Sequence, residues 1–166
     1  MENKAAKTLE VLLESLQPYP DMMLLLFASE WGILEATLLA YARRHGHTLL
    51  LYTLREGMES ELPDSEALRH RPYRIEQPRY NLRGRLYNHA FVFGKIPDTP
   101  EAFSRKVYTG IANAGGLYLL IDPREPSTLQ NWESILLASN YVAANAIDLD
   151  EERSLLFARK MHGWGG

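Results

Sequence analysis

Residues 22–32 read MMLLLFASEWG, and residues 22–28 of this stretch form the longest apolar run of the chain. A short, continuous apolar run is typical of a β-strand that is buried on both faces, as in a parallel sheet. Prolines at positions 18 and 20 separate it from the preceding segment, since proline does not continue a helix. We therefore predict a buried first strand, followed at its carboxyl end by the loop of residues 28–32.

Outward from this strand, the chain alternates between helical and strand patterns. Leucines at positions 9, 12, 13 and 16 have the three- and four-residue spacing of a helix with one buried face. The predicted helices are 4–16, 31–44, 99–113 and about 127–138, the last with Ser127 as its cap, and the predicted strands are 22–28, 47–54, 73–77, 87–93, 116–121, 141–149 and 154–161. Only residues 150–153 separate the last two strands, so these must pair antiparallel. The order indicates a doubly wound α/β sheet that ends in a hairpin.

Length and composition fit one globular α/β domain spanning residues 1–166. A chain of 166 residues with 46% hydrophobic residues can bury one substantial core. Cysteine is absent, which excludes disulfides, thiolate catalysis and cysteine-bound metals. The first ten residues lack the apolar stretch of a signal peptide, and no apolar run approaches the roughly 20 residues of a membrane span. We therefore expect a cytoplasmic protein with no membrane partner.

Two local patterns connect this order of elements with a known family. YNHAFVF at residues 87–93 lies where that family begins its fourth strand, and NAGGLYLL at residues 113–120 is similar to its glycine-then-fifth-strand signature. Over nearly the whole chain, the sequence resembles the class I S-adenosylmethionine-dependent methyltransferases. The resemblance implies a three-layer Rossmann-like fold, with a mostly parallel sheet of seven or six strands and helices on both faces.

The resemblance also implies a ligand site. In open α/β sheets, ligands bind beyond the carboxyl ends of the strands, and the family binds S-adenosylmethionine there. The candidate cofactor-binding residues at these strand ends are Ser29, Glu30, Gly32, Glu56, Glu76, Gln77, Gly94 and Lys95. Glu56 stands nearest to the acidic residue that accepts hydrogen bonds from the cofactor ribose in the family.

The candidate site departs from the family pattern at several positions. The first loop keeps a single glycine, Gly32, where the family has a Gly-x-Gly-x-Gly run, and Glu30 and Trp31 add bulk. Residues 93–97 share only one proline with the segment that holds the target nitrogen in amino-methylating relatives. The sequence identifies no catalytic residue. It therefore favours a degenerate methyltransferase-like domain that binds a small adenosine-type ligand or a partner, with an active methyltransferase of atypical cofactor loop as the alternative.

An arginine-rich segment suggests a third function. Six arginines lie within seventeen residues, interleaved with tyrosines at positions 73, 80 and 87: Arg69, Arg71, Arg74, Arg79, Arg83 and Arg85. Arginine for phosphate and tyrosine for base stacking is a common combination in proteins that hold single-stranded nucleic acid. The alternative interpretation is a solvated connection whose arginines pair with acidic residues elsewhere in the chain.

The histidines and the carboxyl-terminal residues give two further expectations. None of the five histidines has metal-ligand spacing, so no metal is expected. Trp164 lies in the glycine-rich stretch 163–166, and a large aromatic side chain favours burial or an interface. Docking of Trp164 on its own domain or on a second subunit, which would make a homodimer, are both open interpretations.

Overall fold

The computed structural model describes residues 3–16, 19–75 and 86–161, which form one sheet and the helices that cover it. The helices are α1 (Lys4–Glu14), α2 (Ile33–His45), α3 (Pro100–Gly110) and α4 (Pro126–Ala138), with a 3₁₀ turn at Met58–Glu61. The strands are β1 (Met23–Ala28), β2 (Thr48–Thr53), β3 (Leu68–Pro72), β4 (Tyr87–Val92), β5 (Ile111–Ile121), β6 (Tyr141–Asp148) and β7 (Ser154–Lys160).

The sheet has seven strands in the order β3-β2-β1-β4-β5-β7-β6. The first five strands in this order are parallel, and β7 pairs antiparallel with both β5 and β6. The chain order reverses between β1 and β4, which is the switch point where ligands bind in such sheets. The predicted mostly parallel sheet with a terminal antiparallel hairpin is confirmed.

Two hydrophobic cores lie on opposite faces of the sheet. One packs Leu9 and Leu13 of α1 and Leu38 of α2 against the sheet. The other packs residues of α3 and α4, Phe103 and Leu136 among them, against the opposite face. Successive strand residues alternate between faces, so every residue of β1 is buried. In the part of the chain that the structure describes, no helix has the length and hydrophobicity to cross a membrane.

The third strand lies earlier than predicted. It covers Leu68–Pro72 and pairs in parallel with β2, whereas the prediction placed it at residues 73–77. Leu68 is the only buried residue of this strand. Because β3 is an edge strand held by hydrogen bonds to β2, it lacks the apolar pattern by which the other strands were recognised.

The boundary between α3 and β5 and the cap of α4 also differ from the prediction. Helix α3 ends at Gly110, and β5 begins at Ile111, five residues before the predicted strand. Ile111 continues the four-residue spacing of α3, but it is buried because it pairs with Tyr87 in the sheet. Glu125, not Ser127, is the N-cap residue of α4, and Pro126 takes the first helical position, which suits its fixed φ angle.

Candidate functional site

A cavity of about 720 Å³ opens at the carboxyl ends of β1, β4 and β5. We call it the carboxyl-end cavity. Its lining residues come from three strand-to-helix loops, from α4 and from the β6–β7 turn: Ser29, Glu30, Gly32, Ile33, Leu34, Glu35, Val92, Phe93, Gly94, Lys95, Ile96, Asp98, Pro100, Leu119, Leu120, Ile121, Asp122, Thr128, Trp132 and Arg153. Its size is that of a small-molecule site, and its place is the one where open α/β sheets hold ligands.

A side chain of α2 itself caps the amino end of this helix. Gly32 is the N-cap residue, and Oε1 of Glu35 accepts a hydrogen bond from the Gly32 N–H at 2.9 Å. Glu35 is almost fully buried. Burial raises its pKa above the ordinary value, although the hydrogen bonds from its own N–H and that of Gly32 oppose the rise. A carboxyl group of this kind in a cleft can hold a proton nearer to neutral pH than an exposed one.

The loops after β1 and β4 are in direct contact. A Cβ atom added to Gly94 would lie 2.8 Å from the Ser29 nitrogen, 2.9 Å from the Ser29 Oγ and 3.0 Å from Leu54 Cδ1. Only glycine therefore allows the β4–α3 loop to approach the β1–α2 loop this closely. These two loops form one continuous wall of the cavity.

Arg55 crosses from the end of β2 to the loop after β1. Its Nε donates a hydrogen bond to the Ser29 carbonyl at 2.9 Å, and its guanidinium forms an ion pair with Glu61. Arg55 thus links the ends of β1 and β2 directly. The next residue, Glu56, is exposed and does not line the cavity.

Two further charged side chains line the cavity with partners of their own. The guanidinium of Arg153 donates to Oδ2 of Asp150 from Nε at 3.1 Å and from NH2 at 2.7 Å. The Asp98 side chain is only 2% exposed, and its Oδ2 lies 2.7 Å from Nζ of Lys106. The other carboxylate oxygen of Asp98 is buried and has no hydrogen-bond partner among the described residues. Among the described residues that line the cavity, Asp98 therefore has a buried side-chain oxygen whose hydrogen bonds the protein does not supply.

Solved structures of methyltransferases have the same architecture. A Methanococcus jannaschii fibrillarin, a pre-rRNA processing protein, superposes with a TM-score of 0.73 at 12% identity over 98% of this chain and 77% of its own. A precorrin-6y C5,15-methyltransferase from Geobacter metallireducens gives 0.72 at 10% identity over 93% and 89%. Aeropyrum pernix fibrillarin, solved with natively bound S-adenosyl-L-methionine, gives 0.68 at 11% identity over 94% and 76%. The chain has the class I methyltransferase fold.

Sequence comparison adds no relative, since no protein-family model and no curated protein matches the chain. At 10–12% identity, the structural likeness establishes the fold alone. What this chain binds or catalyses therefore depends on its own side chains.

The structure brings five of the eight sequence-predicted site residues together. Ser29, Glu30, Gly32, Gly94 and Lys95 all line the carboxyl-end cavity. Glu56 lies at the carboxyl end of β2 but outside the lining. Glu76 and Gln77 lie outside the described residues.

Several cavity residues were not identified from the sequence. Glu35, Asp122, Trp132 and Arg153 come from α2, the loop after β5, α4 and the β6–β7 turn. Only Asp122 carried a usable signal, because it directly follows the predicted fifth strand and so must lie at the carboxyl edge of the sheet. Glu35 lies in the first turn of α2, three residues after Gly32, whereas Trp132 and Arg153 reach the cavity through long-range packing that spacing does not reveal.

The arginine segment is described only in part. Arg69 and Arg71 lie on the same face of β3 and are exposed, as is Arg74 beyond it, while Arg79, Arg83 and Arg85 lie outside the described residues. The acids of the described residues form no ion pair with Arg69, Arg71 or Arg74. Within residues 3–16, 19–75 and 86–161, no group of three or more histidine, aspartate or glutamate side chains is placed to hold a metal ion.

Proposed function

We propose that this chain is a degenerate methyltransferase-like domain that acts by binding a ligand in the carboxyl-end cavity. The cavity offers an aromatic wall at Trp132, a cationic side chain at Lys95 and carboxylates at Asp98 and Asp122. Such a mixture suits a small molecule with an apolar body and polar ends. The ligand would bind between the carboxyl ends of β1, β4 and β5.

The observation that carries this proposal is that a cationic side chain, Arg55, lies at the carboxyl end of β2. In the class I fold, a carboxylate at this end accepts hydrogen bonds from the cofactor ribose, but here the guanidinium of Arg55 lies at this end, bound to the Ser29 carbonyl and Glu61, and the next residue, Glu56, is exposed. A cationic guanidinium has only donors and cannot accept a hydrogen bond from ribose hydroxyls. The single glycine of the first loop is likewise already engaged by Glu35. Both features argue against the family's usual mode of holding S-adenosylmethionine.

Titration calorimetry with S-adenosylmethionine and S-adenosylhomocysteine tests whether the chain binds the cofactor of the class I methyltransferases. We expect no saturable heat from either compound at millimolar concentration. Saturable binding that is lost in Glu56→Ala would instead support the active methyltransferase with an atypical loop, because Glu56 is then the ribose acceptor. In that case, methyl transfer would rest mainly on alignment of donor and acceptor.

A thermal-shift screen with soluble metabolites tests the site itself. A ligand selective for the folded state raises the melting temperature by mass action. We expect Thr128→Trp, which fills the cavity from the first turn of α4, to abolish the shift caused by any hit. The matched control is Ser127→Trp, an exposed neighbour outside the cavity lining. Equal loss in both variants, or a hit unaffected by Thr128→Trp, would contradict binding in this cavity.

A second candidate function is nucleic-acid binding by the arginine segment. The observation in its favour is that Arg69 and Arg71 are exposed on one face of an edge strand and pair with none of the described acids. If both contact phosphates of single-stranded RNA, Arg69→Ala with Arg71→Ala reduces the slope of log affinity against log salt by about 1.4. Fluorescence anisotropy with a labelled RNA measures this slope, with Arg43→Ala and Arg105→Ala as the control pair. Affinity that is independent of salt would exclude phosphate contacts.

A further inference from the structure

A second cavity, of about 520 Å³, lies at the opposite edge of the sheet. We call it the amino-end cavity. It is bounded by the amino ends of β4 and β5, the carboxyl end of β7 and the last turn of α1. Along β4 its lining ends at His89, and that of the carboxyl-end cavity begins at Val92, a distance of roughly 10 Å. Neither the class I fold nor the proposed function assigns a role to this edge.

The amino-end cavity is shaped by an irregularity in β5. Ala114 has a left-handed φ of 66°, and the register with β4 shifts between Tyr87 and His89. A Cβ atom on Gly116 would lie 2.7 Å from Cε1 of Tyr118, so the glycine lets the tyrosine ring fold back over the strand. Bulges of this kind often occur beside binding sites, where they redirect side chains. The cavity is therefore preformed by the backbone.

His89 lines this cavity, and its hydrogen bonds define which ring nitrogen carries the proton. Its Nδ1 accepts from the Gly116 N–H at 3.3 Å, and the Tyr118 hydroxyl also lies 3.3 Å from it. A backbone N–H can only donate, so Nδ1 carries no proton and the ring proton resides on Nε2. Burial, with the neighbouring positive charge of Arg159, lowers the pKa of His89 to about 4 and keeps the ring neutral at pH 7. Nε2–H has no hydrogen-bond partner among the described residues.

The described residues that line the amino-end cavity include a positively charged side chain and no negatively charged one. Arg159 lines the cavity and forms no ion pair with the acids of residues 3–16, 19–75 and 86–161. No aspartate or glutamate is among the described residues of the lining. The carbonyls of Leu12 and Leu13 at the end of α1 already accept hydrogen bonds from the backbone N–H groups of residues 15 and 16. The polar side chains of Ser15, Asn88 and Asn113 also line the cavity, and the full charge among the described lining residues is the guanidinium of Arg159, which with the imidazole of His89 favours an anion.

Aromatic side chains form part of the remaining lining, beside aliphatic residues such as Leu12 and Leu16. Tyr118 and Phe157 stack with ring centroids 6.0 Å apart, and Tyr19 lies at the rim. Burial raises the pKa of Tyr118 to about 12, so its hydroxyl stays protonated. Flat aromatic walls favour a ligand with a planar apolar body.

We propose that the amino-end cavity is a second binding site, for a small aromatic molecule that carries a carboxylate or phosphate group. The acid group accepts hydrogen bonds from Arg159 and from His89 Nε2–H, and the ring packs against Tyr118 and Phe157. A carboxylate is planar and a phosphate is tetrahedral, but both accept hydrogen bonds from these donors through anionic oxygens. The site is independent of the carboxyl-end cavity, since the two share no lining residue.

Nuclear magnetic resonance titration with benzoate, phenyl phosphate and neutral benzyl alcohol tests this site. We expect saturable shifts of the His89 imidazole and the Gly116 amide with at least one of the two anions, and none with the alcohol. Whichever anion binds more tightly identifies the acid group. Arg159→Gln should weaken binding about tenfold or more, because it removes a charge-assisted hydrogen bond.

The control variant is Arg105→Gln, an exposed arginine of α3 that lines neither cavity. We expect it to retain the affinity of the unmodified protein, and the amide spectrum of each variant reports whether its fold is intact. Equal binding of alcohol and anions, equal loss in both arginine variants, or no saturable shift at millimolar concentration would overturn the proposal.

Discussion

Gly115 is the residue at which the backbone of β5 has the least room. A Cβ atom there would lie 2.6 Å from the Asn88 carbonyl oxygen and 2.8 Å from that of Ala112, and closer still to Ile111 Cγ2. Because two of these atoms belong to the backbone, a side-chain rotation cannot relieve the overlap. We expect Gly115→Ala to lower the free energy of unfolding by about 2 kcal/mol or more, as overpacking does.

Chemical denaturation in urea measures this change, and Ala114→Gly is the neighbouring control. Ala114 has a left-handed φ, which glycine adopts without strain. That substitution should therefore leave stability equal or slightly raised. Equal destabilisation by both substitutions would show that the close contact at Gly115 is not the cause.

His89 should make the stability of the protein depend on pH. Its folded-state pKa of about 4 lies below the ordinary value of 6.5, so the unfolded chain binds the proton more tightly. The stabilisation from a neutral His89 is complete above pH 6.5 and is lost as the pH falls towards 4. The loss amounts to about 3 kcal/mol.

The difference in unfolding free energy between the unmodified protein and His89→Gln measures this dependence. Glutamine does not titrate, so we expect the difference to shrink or reverse as the pH is lowered from 7 to 4. A constant difference across this interval would contradict a depressed pKa for His89.

Among the elements, α2 depends on Glu35 for its first turn, and this dependence should also vary with pH. Burial raises the folded-state pKa of Glu35 above 4.5. A carboxyl group with a raised pKa contributes stability below its unfolded pKa, and that contribution is lost as the pH rises through the folded value. Relative to the unmodified protein, Glu35→Gln should therefore gain stability as the pH is raised from 4 to 7.

Glu35→Ala separates the hydrogen bond from the charge. Relative to Glu35→Gln, which keeps an acceptor and likewise does not titrate, it leaves the Gly32 N–H without its acceptor and should cost about 1 kcal/mol at any pH in this interval. Thermal unfolding of the two variants at several pH values checks both expectations. If Glu35→Gln follows the pH profile of the unmodified protein, the burial of Glu35 does not perturb its ionisation.

Strands with several apolar side chains were predictable from the sequence, and β3, which has a single buried residue, was misplaced. The apolar run of β1 follows from burial on both faces, whereas β3, with Leu68 as its single buried residue, gave no such signal. The site divides in the same way. Ser29 and Gly94 were identified because they follow buried strands, while Trp132 and Arg153 reach the cavity only through packing of α4 and the β6–β7 turn.

At the scale of the whole molecule, stability should decrease from the centre of the sheet to its edges. Strand β1 is fully buried and pairs with β2 and β4, whereas β3 and β6 each pair on one side only and are largely exposed. Local opening costs least where few apolar contacts and many exposed hydrogen bonds are involved. In amide hydrogen exchange followed by mass spectrometry, we expect β1 and β4 to exchange last and β3 and β6 first. Protection of β3 equal to that of β1 would mean that a partner or a further segment covers this edge, since the sheet itself offers β3 a single neighbour.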